Sequence, residues 1–140
     1  MKTTAAVILV AGIGSRLRPI TDDRPKALVD LGGETILGRA VRLLAEYGVR
    51  KVVLATGYRD EAVQAAMRSA PPALTIEYCK NPAFDRTQNS VSLALCRSLV
   101  GSEAFFKLDG DVVFQRWRAQ SFKRIENVIS RAAVIGTARA

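Results

Sequence analysis

AAVILVAGIGSRLRP, residues 5–19, changes character at its midpoint: six apolar residues run into a glycine-rich, cationic turn. Residues 5–10 are rich in β-branched side chains and show no alternation. That pattern reads as a strand covered on both faces, the habit of a parallel sheet. Gly12 ends the strand. The loop that follows, residues 11–33, is long for a compact domain, and a loop of that length is usually functional or disordered. Thr35 is placed to cap a helix in which Ile36, Leu37, Ala40, Val41, Leu43, Leu44 and Tyr47 recur at helical spacing until Gly48. Residues 51–55 (KVVLA) predict a second buried strand. Asp60 is expected to cap a helix reaching about Ser69, ended by Pro71 and Pro72. Residues 74–78 predict a third strand. Asn89 or Ser90 is expected to cap a helix with Val91, Leu93, Ala94, Leu95 and Leu99 on its apolar side. Residues 104–108 predict a fourth strand, leading into Asp109-Gly110-Asp111. Strands alternating with helices give an α/β sandwich with a mostly parallel sheet. In such sheets ligands bind beyond the carboxyl ends of the strands, where both special turns fall.

Composition narrows the chemistry. The chain has 140 residues, 49% of them hydrophobic, enough for one domain with a core. It has no histidine, which removes Ser-His and Cys-His catalysis and the usual imidazole base. Cys79 and Cys96 form no CxxC pair and read as reduced thiols rather than zinc ligands. No apolar run is long enough to span a bilayer, and residues 1–4 show no leader or lipidation motif. The expected location is the cytosol, with no membrane partner. The net charge of +8 is uneven. Residues 115–140 hold six basic residues and one acid, a net of +5, and residues 1–114 hold fifteen and twelve, a net of +3. The tail carries Trp117 and Phe122 but no nucleic-acid module, which argues against a nucleic-acid partner.

The turn after the first strand suits a polyphosphate. Glycines let the backbone approach a ligand, and successive amide N–H groups can cradle phosphate oxygens. A Walker A loop would end in Gly-Lys-Ser/Thr, and none is present. A dinucleotide fingerprint needs a third glycine where Leu17 stands, and an acid where the second strand leads into Thr56-Gly57. What remains is Gly12 and Gly14, then Arg16, which can clamp phosphate through parallel N–H bonds, and Lys26, a compact second charge. For the GxG alone, a tight turn with solvated arginines is the better reading. With Pro25-Lys26-Ala27-Leu28 at the far end, the phosphate site is. Asp109-Gly110-Asp111, at the end of a buried strand, is a natural Mg²⁺ site, although Asp-Gly is also a common turn.

Residues 7–33, VILVAGIGSRLRPITDDRPKALVDLGG, resemble the signature of the nucleotidyltransferases that make NDP-sugars and CDP-alcohols. The resemblance implies a Rossmann-like, GT-A-type three-layer sandwich with a mostly parallel sheet. It implies that Ala11, Gly12, Gly14 and Ser15 sit against the nucleotide, that Arg16 binds the β- and γ-phosphates, and that Lys26 contacts the reacting phosphates. Asp111 resembles the family's Mg²⁺ ligand, with Asp109 as second choice. Gly57 resembles a glycine lining the nucleotide pocket, with Tyr58 as readily a packing residue. Asn89-Ser90-Val91-Ser92-Leu93 is similar to the branch that transfers CMP to phosphocholine or inositol phosphate, which would bring Asn89 and Ser92 near nucleotide and acceptor. Asn89 and Ser90 would suit a helix cap in any case. A guanylyl transferase serving molybdopterin has a similar loop at greater distance.

The implied partners are an NTP, CTP first and UTP or dTTP second, and a phosphorylated alcohol or sugar 1-phosphate. The implied reaction is NMP transfer with release of pyrophosphate. The resemblance covers about residues 5–114, so the expected organisation is a nucleotide-binding part, 1–114, followed by an atypical basic tail, 115–140. The C-terminal part of the domain is then truncated, as a frameshift would leave it. A non-catalytic nucleotide-binding module derived from such an enzyme is the alternative.

Overall fold

The structure is a computed structural model that describes residues 4–101 and 104–110. Asp111 and the basic tail 115–140 lie outside the described residues. Four strands, β1 (Ala5–Leu9), β2 (Lys51–Thr56), β3 (Thr75–Lys80) and β4 (Phe105–Asp109), form one sheet in the order β3-β2-β1-β4, with every pairing parallel. β1 is central and buried along its whole length, as an unbroken apolar run requires.

Side chains alternate across the sheet. Ala6, Ile8, Val52, Leu54 and Leu108 face helices α1 (Ile36–Glu46) and α2 (Asp60–Ala66). Val7, Leu9, Val53 and Ala55 face α3 (Asn89–Leu95) and α4 (Arg97–Val100). Two apolar clusters on opposite faces make three layers, the α/β sandwich that the alternation of elements predicts and the Rossmann-like form that the resemblance implies. Each Val, Leu or Ile buried this way contributes about 1.5–3 kcal/mol.

α1 starts as expected: the Thr35 hydroxyl accepts from the Gly38 N–H at 2.9 Å. Two starts differ. Arg59, left-handed at φ 52°, precedes α2, so Asp60 is its first helical residue rather than its cap; Asp60 Oδ2 accepts from Gln64 Nε2 at 2.9 Å. Gln88 takes the cap position of α3 without a side-chain bond, and Asn89 is the first helical residue. The predicted apolar side of α3 also differs. Val91 and Leu95 are exposed, while Leu93, Cys96, Leu99 and Val100 pack on the sheet. The inward place beside them belongs to Ser92, because it partners a buried asparagine described below.

Candidate functional site

Strand order locates the site. The chain moves from β1 outward to β2 and β3, then returns to place β4 on the other side of β1. The crevice beyond the carboxyl ends of β1 and β4 is the topological switch point, where open α/β sheets bind ligands. Register sets Leu9 beside Asp109, so the glycine loop and the acidic turn leave the sheet together.

A cleft of about 280 Å³ opens there, and Gly12, Gly14, Lys26, Asn89, Asp109 and Gly110 line it with Leu9, Val10, Pro25 and Ala27. Gly14 is left-handed at φ 68°. A Cβ on it would stand 3.2 Å from both Lys26 Cβ and Thr21 Cγ2, so only glycine lets the two arms of the loop close. The loop passes through a 3-10 turn, Ser15–Leu17, and ends in another, Lys26–Leu28, whose Ala27 and Leu28 are buried and anchor Lys26 at the cleft. Gly110 lies against β1: its N–H donates to Leu9 O at 2.8 Å, and a Cβ would stand 2.6 Å from Val10 Cγ1. That close approach tucks the acidic turn under the glycine loop.

Asp109 Oδ1 is buried and has no hydrogen-bond partner, although Lys107 Nζ lies 3.5 Å away. A carboxylate oxygen left unbonded beside a cleft suits a hard cation. No cluster of three or more His, Cys, Asp or Glu side chains that could hold a metal occurs among the described residues.

The other sequence-predicted residues sit elsewhere. Arg16 is exposed on the first 3-10 turn, and neither it nor Ser15 lines the cleft. Ala11 is buried, with its carbonyl accepting from Tyr58 N at 3.1 Å. Gly57 is buried against Phe84, whose Cβ and Cγ would be 2.5 and 2.7 Å from an added Cβ; it serves packing, not the cleft wall. Ser92 is buried and accepts from Asn81 Nδ2 at 3.0 Å. Asn81 also donates to Thr87 Oγ1 at 2.8 Å and accepts from Ala83 N at 2.9 Å, so it shapes the loop that delivers Asn89. Thr21 and Asn81 carry no sequence signal as site residues, and Gly110 is legible only as the middle of the Asp-Gly-Asp turn, not as a point of close approach. Thr21 is fully buried and its hydroxyl donates to Gly14 O at 2.7 Å.

A larger cavity, about 450 Å³, lies between the start of α1 and the end of α2, with Glu34, Arg42, Met67 and Pro71 in its wall. Its cation is already engaged: Arg42 holds Glu34 at 2.7 and 3.0 Å and Glu46 at 3.2 Å.

The family profile described as a MobA-like NTP transferase domain matches residues 6–135. The chain is 39% identical over 110 residues to CMP-5'-(3-aminopropyl)phosphonate synthase of Streptomyces rubellomurinus, covering 79% of the chain and 17% of that protein. It is 35% identical over 112 residues to the mannose-1-phosphate guanylyltransferase catalytic subunit beta of Drosophila melanogaster, covering 79% of the chain and 30% of that protein. Among solved structures it is similar to the inositol-1-phosphate CTP transferase from T. maritima, with TM-score 0.67 and 28% identity over 81% of this chain and 46% of that one. The chain thus spans less than half the length of each of these relatives.

Proposed function

The chain belongs to the MobA-like NTP transferase domain family, and on that premise we propose that it binds a nucleoside triphosphate in the β1–β4 cleft and transfers the NMP unit to a phosphorylated acceptor. The observation that carries the reading is the convergence of Gly12, Gly14, Lys26, Asn89 and Asp109 on one cleft. An acceptor phosphate oxygen attacks the α-phosphorus, the bond from that phosphorus to the bridging oxygen breaks, and pyrophosphate leaves in line. Such transfers depend on positioning and charge neutralisation, so a chain without histidine can perform them.

In this reading the glycine-loop amides hold the leaving pyrophosphate, and the exposed Arg16 side chain must swing in from the first 3-10 turn to join them. Lys26 offsets charge developing at the α-phosphate. Asp109, with its unbonded oxygen, and Asp111 would hold Mg²⁺, which would neutralise phosphate charge there. Asn89 faces the nucleotide. Residues 1–114 make up the nucleotide-binding part. No helix among the described residues is long and apolar enough to cross a membrane, and we place the chain in the cytosol.

CTP is the first candidate donor and a phosphorylated alcohol the first acceptor. The Asn89-to-Leu93 segment supports this, as does the similarity to a CMP-phosphonate synthase and to an inositol-1-phosphate CTP transferase. GTP with a sugar 1-phosphate is the second choice, after the guanylyltransferase relatives. A thermal-shift panel of CTP, GTP, UTP, dTTP and ATP with Mg²⁺ tests the donor, since a ligand at a hundred times its Kd stabilises by about 2.7 kcal/mol. Pyrophosphate release with each acceptor class then separates a transferase from a module that only binds nucleotide. Lys26→Ala and Arg16→Ala are each expected to lower turnover about a hundredfold or more. Full pyrophosphate release by either variant refutes its assigned role.

A further inference from the structure

The loop between β1 and Lys26 has little regular structure, yet it must present amides and a lysine to one ligand. Two crossties hold it, and neither comes from a residue with an assigned role. Tyr58 follows β2, and its backbone N–H donates to Ala11 O at 3.1 Å, at the loop's start. Its hydroxyl reaches across to Thr21 O at 2.8 Å and Asp22 O at 2.9 Å, on the returning arm. One hydroxyl carries one proton, so it serves one carbonyl at a time; Arg59 Nη2 donates to Asp22 O at 3.0 Å and covers the other. Thr21, fully buried, completes the second tie by donating to Gly14 O at 2.7 Å. Its methyl and Lys26 Cβ pack on the bare face of Gly14.

We infer that Tyr58 and Thr21 are positioning residues that pre-organise the 12–26 loop for a triphosphate, setting affinity without touching the ligand. The inference rests on the proposed nucleotide site. A loop already held in its bound shape loses less conformational freedom on binding, which raises affinity.

Tyr58→Phe removes the hydroxyl and keeps the ring, which packs on Phe84 with centroids 6.3 Å apart and carries Arg59 at 5.6 Å. In the full chain it is expected to leave the melting temperature of the unliganded protein nearly unchanged. Amide hydrogen exchange should rise within residues 12–22, and Mg-CTP and Mg-GTP should bind about three- to tenfold more weakly. Thr21→Val, isosteric without the hydroxyl, should behave alike, while Thr21→Ser, which keeps the donor, should retain most of the affinity. Unchanged exchange in Tyr58→Phe overturns the tie. Faster exchange with unchanged affinity overturns the positioning role and leaves the nucleotide site intact. Failure of the unsubstituted chain to bind any triphosphate sinks the functional reading together with the role built on it, and differs from equal binding by wild type and variant.

Discussion

Gly110→Ala puts a methyl group where the structure has no room. Its carbon would sit 2.6 Å from Val10 Cγ1, 2.7 Å from Leu9 O and 3.4 Å from Ala27 Cβ, whereas ordinary contact begins at 3.4 Å. The turn must therefore retreat by about 0.7 Å or more. The other side cannot yield: Leu9 belongs to the central strand, paired on both edges, and Val10 is buried and bonded through its N–H to Ala55 O at 2.9 Å. Overpacking of this kind costs about 1–3 kcal/mol. Stretching the Gly110 N–H bond to Leu9 O costs about 1 more, for a total of roughly 2–4 kcal/mol. At about 2.1 cal/mol/K per residue, 140 residues convert each kcal/mol into about 3 °C, so Tm should fall by roughly 7–14 °C. Gly12→Ala is the control. It adds the same methyl one strand away, at a position with nothing within 4 Å. Its Tm should stay within about 2 °C of wild type, while the new side chain intrudes on the cleft and weakens triphosphate binding. Calorimetric melts of the three proteins decide it. A Gly110→Ala variant melting with wild type, or a Gly12→Ala variant falling as far, would refute the close-approach argument.

Two further outcomes concern titration. Burial, reinforced by the neighbouring Cys79 thiol, pushes the Cys96 thiol up from 9.0 to about 12. The folded state keeps a proton that the unfolded chain releases above pH 9, so this group's contribution declines as pH rises from 9 towards 12, by up to about 1.4 kcal/mol per pH unit. Denaturation midpoints at pH 8 and pH 10.5 should differ less in Cys96→Ala than in wild type, and parallel losses would remove the buried thiol from the account. The Arg42 guanidinium holds the Glu34 carboxyl below its ordinary value of 4.5. That pair's contribution is complete above about pH 4.5 and disappears as pH falls through the lower folded value. Both partners are about a third exposed, so it is worth only about 0.5–1 kcal/mol. Glu34→Gln should lower Tm by about 2–3 °C at pH 7 and by much less at pH 3; an equal deficit at both values would contradict the pairing.

How far the molecule could be read from its residues depends on the distance over which each feature is determined. β1, β2 and α1 depend on local patterns. An unbroken β-branched run, a Thr35 three residues ahead of Gly38, and an apolar stripe at helical spacing each carry their own signal. α3 does not. Its inward face includes Ser92 because Asn81, eleven residues earlier, needs a buried hydroxyl, and no helical period contains that demand. α2 went astray for a smaller reason: Arg59 adopts a left-handed turn and moves Asp60 into the first helical position. The same division runs through the site. Gly12, Gly14, Lys26 and Asp109 stand out as chemical types in their own segments, and parallel pairing of β1 with β4 brings those segments together. The ties that hold them are contacts across long stretches of chain. Tyr58 reaches Thr21 over 37 residues, and Gly110 meets Leu9 from the far end of the described chain. Residues of that kind look ordinary in sequence, since a tyrosine after a glycine suits any packed turn and Asp-Gly suits any tight one. The cleft is thus built from residues whose chemistry announces them and held by residues known only from their contacts. Substitutions in the second group should change affinity through the loop they restrain, which is why Tyr58→Phe and Gly110→Ala test the site more sharply than removing another exposed cation.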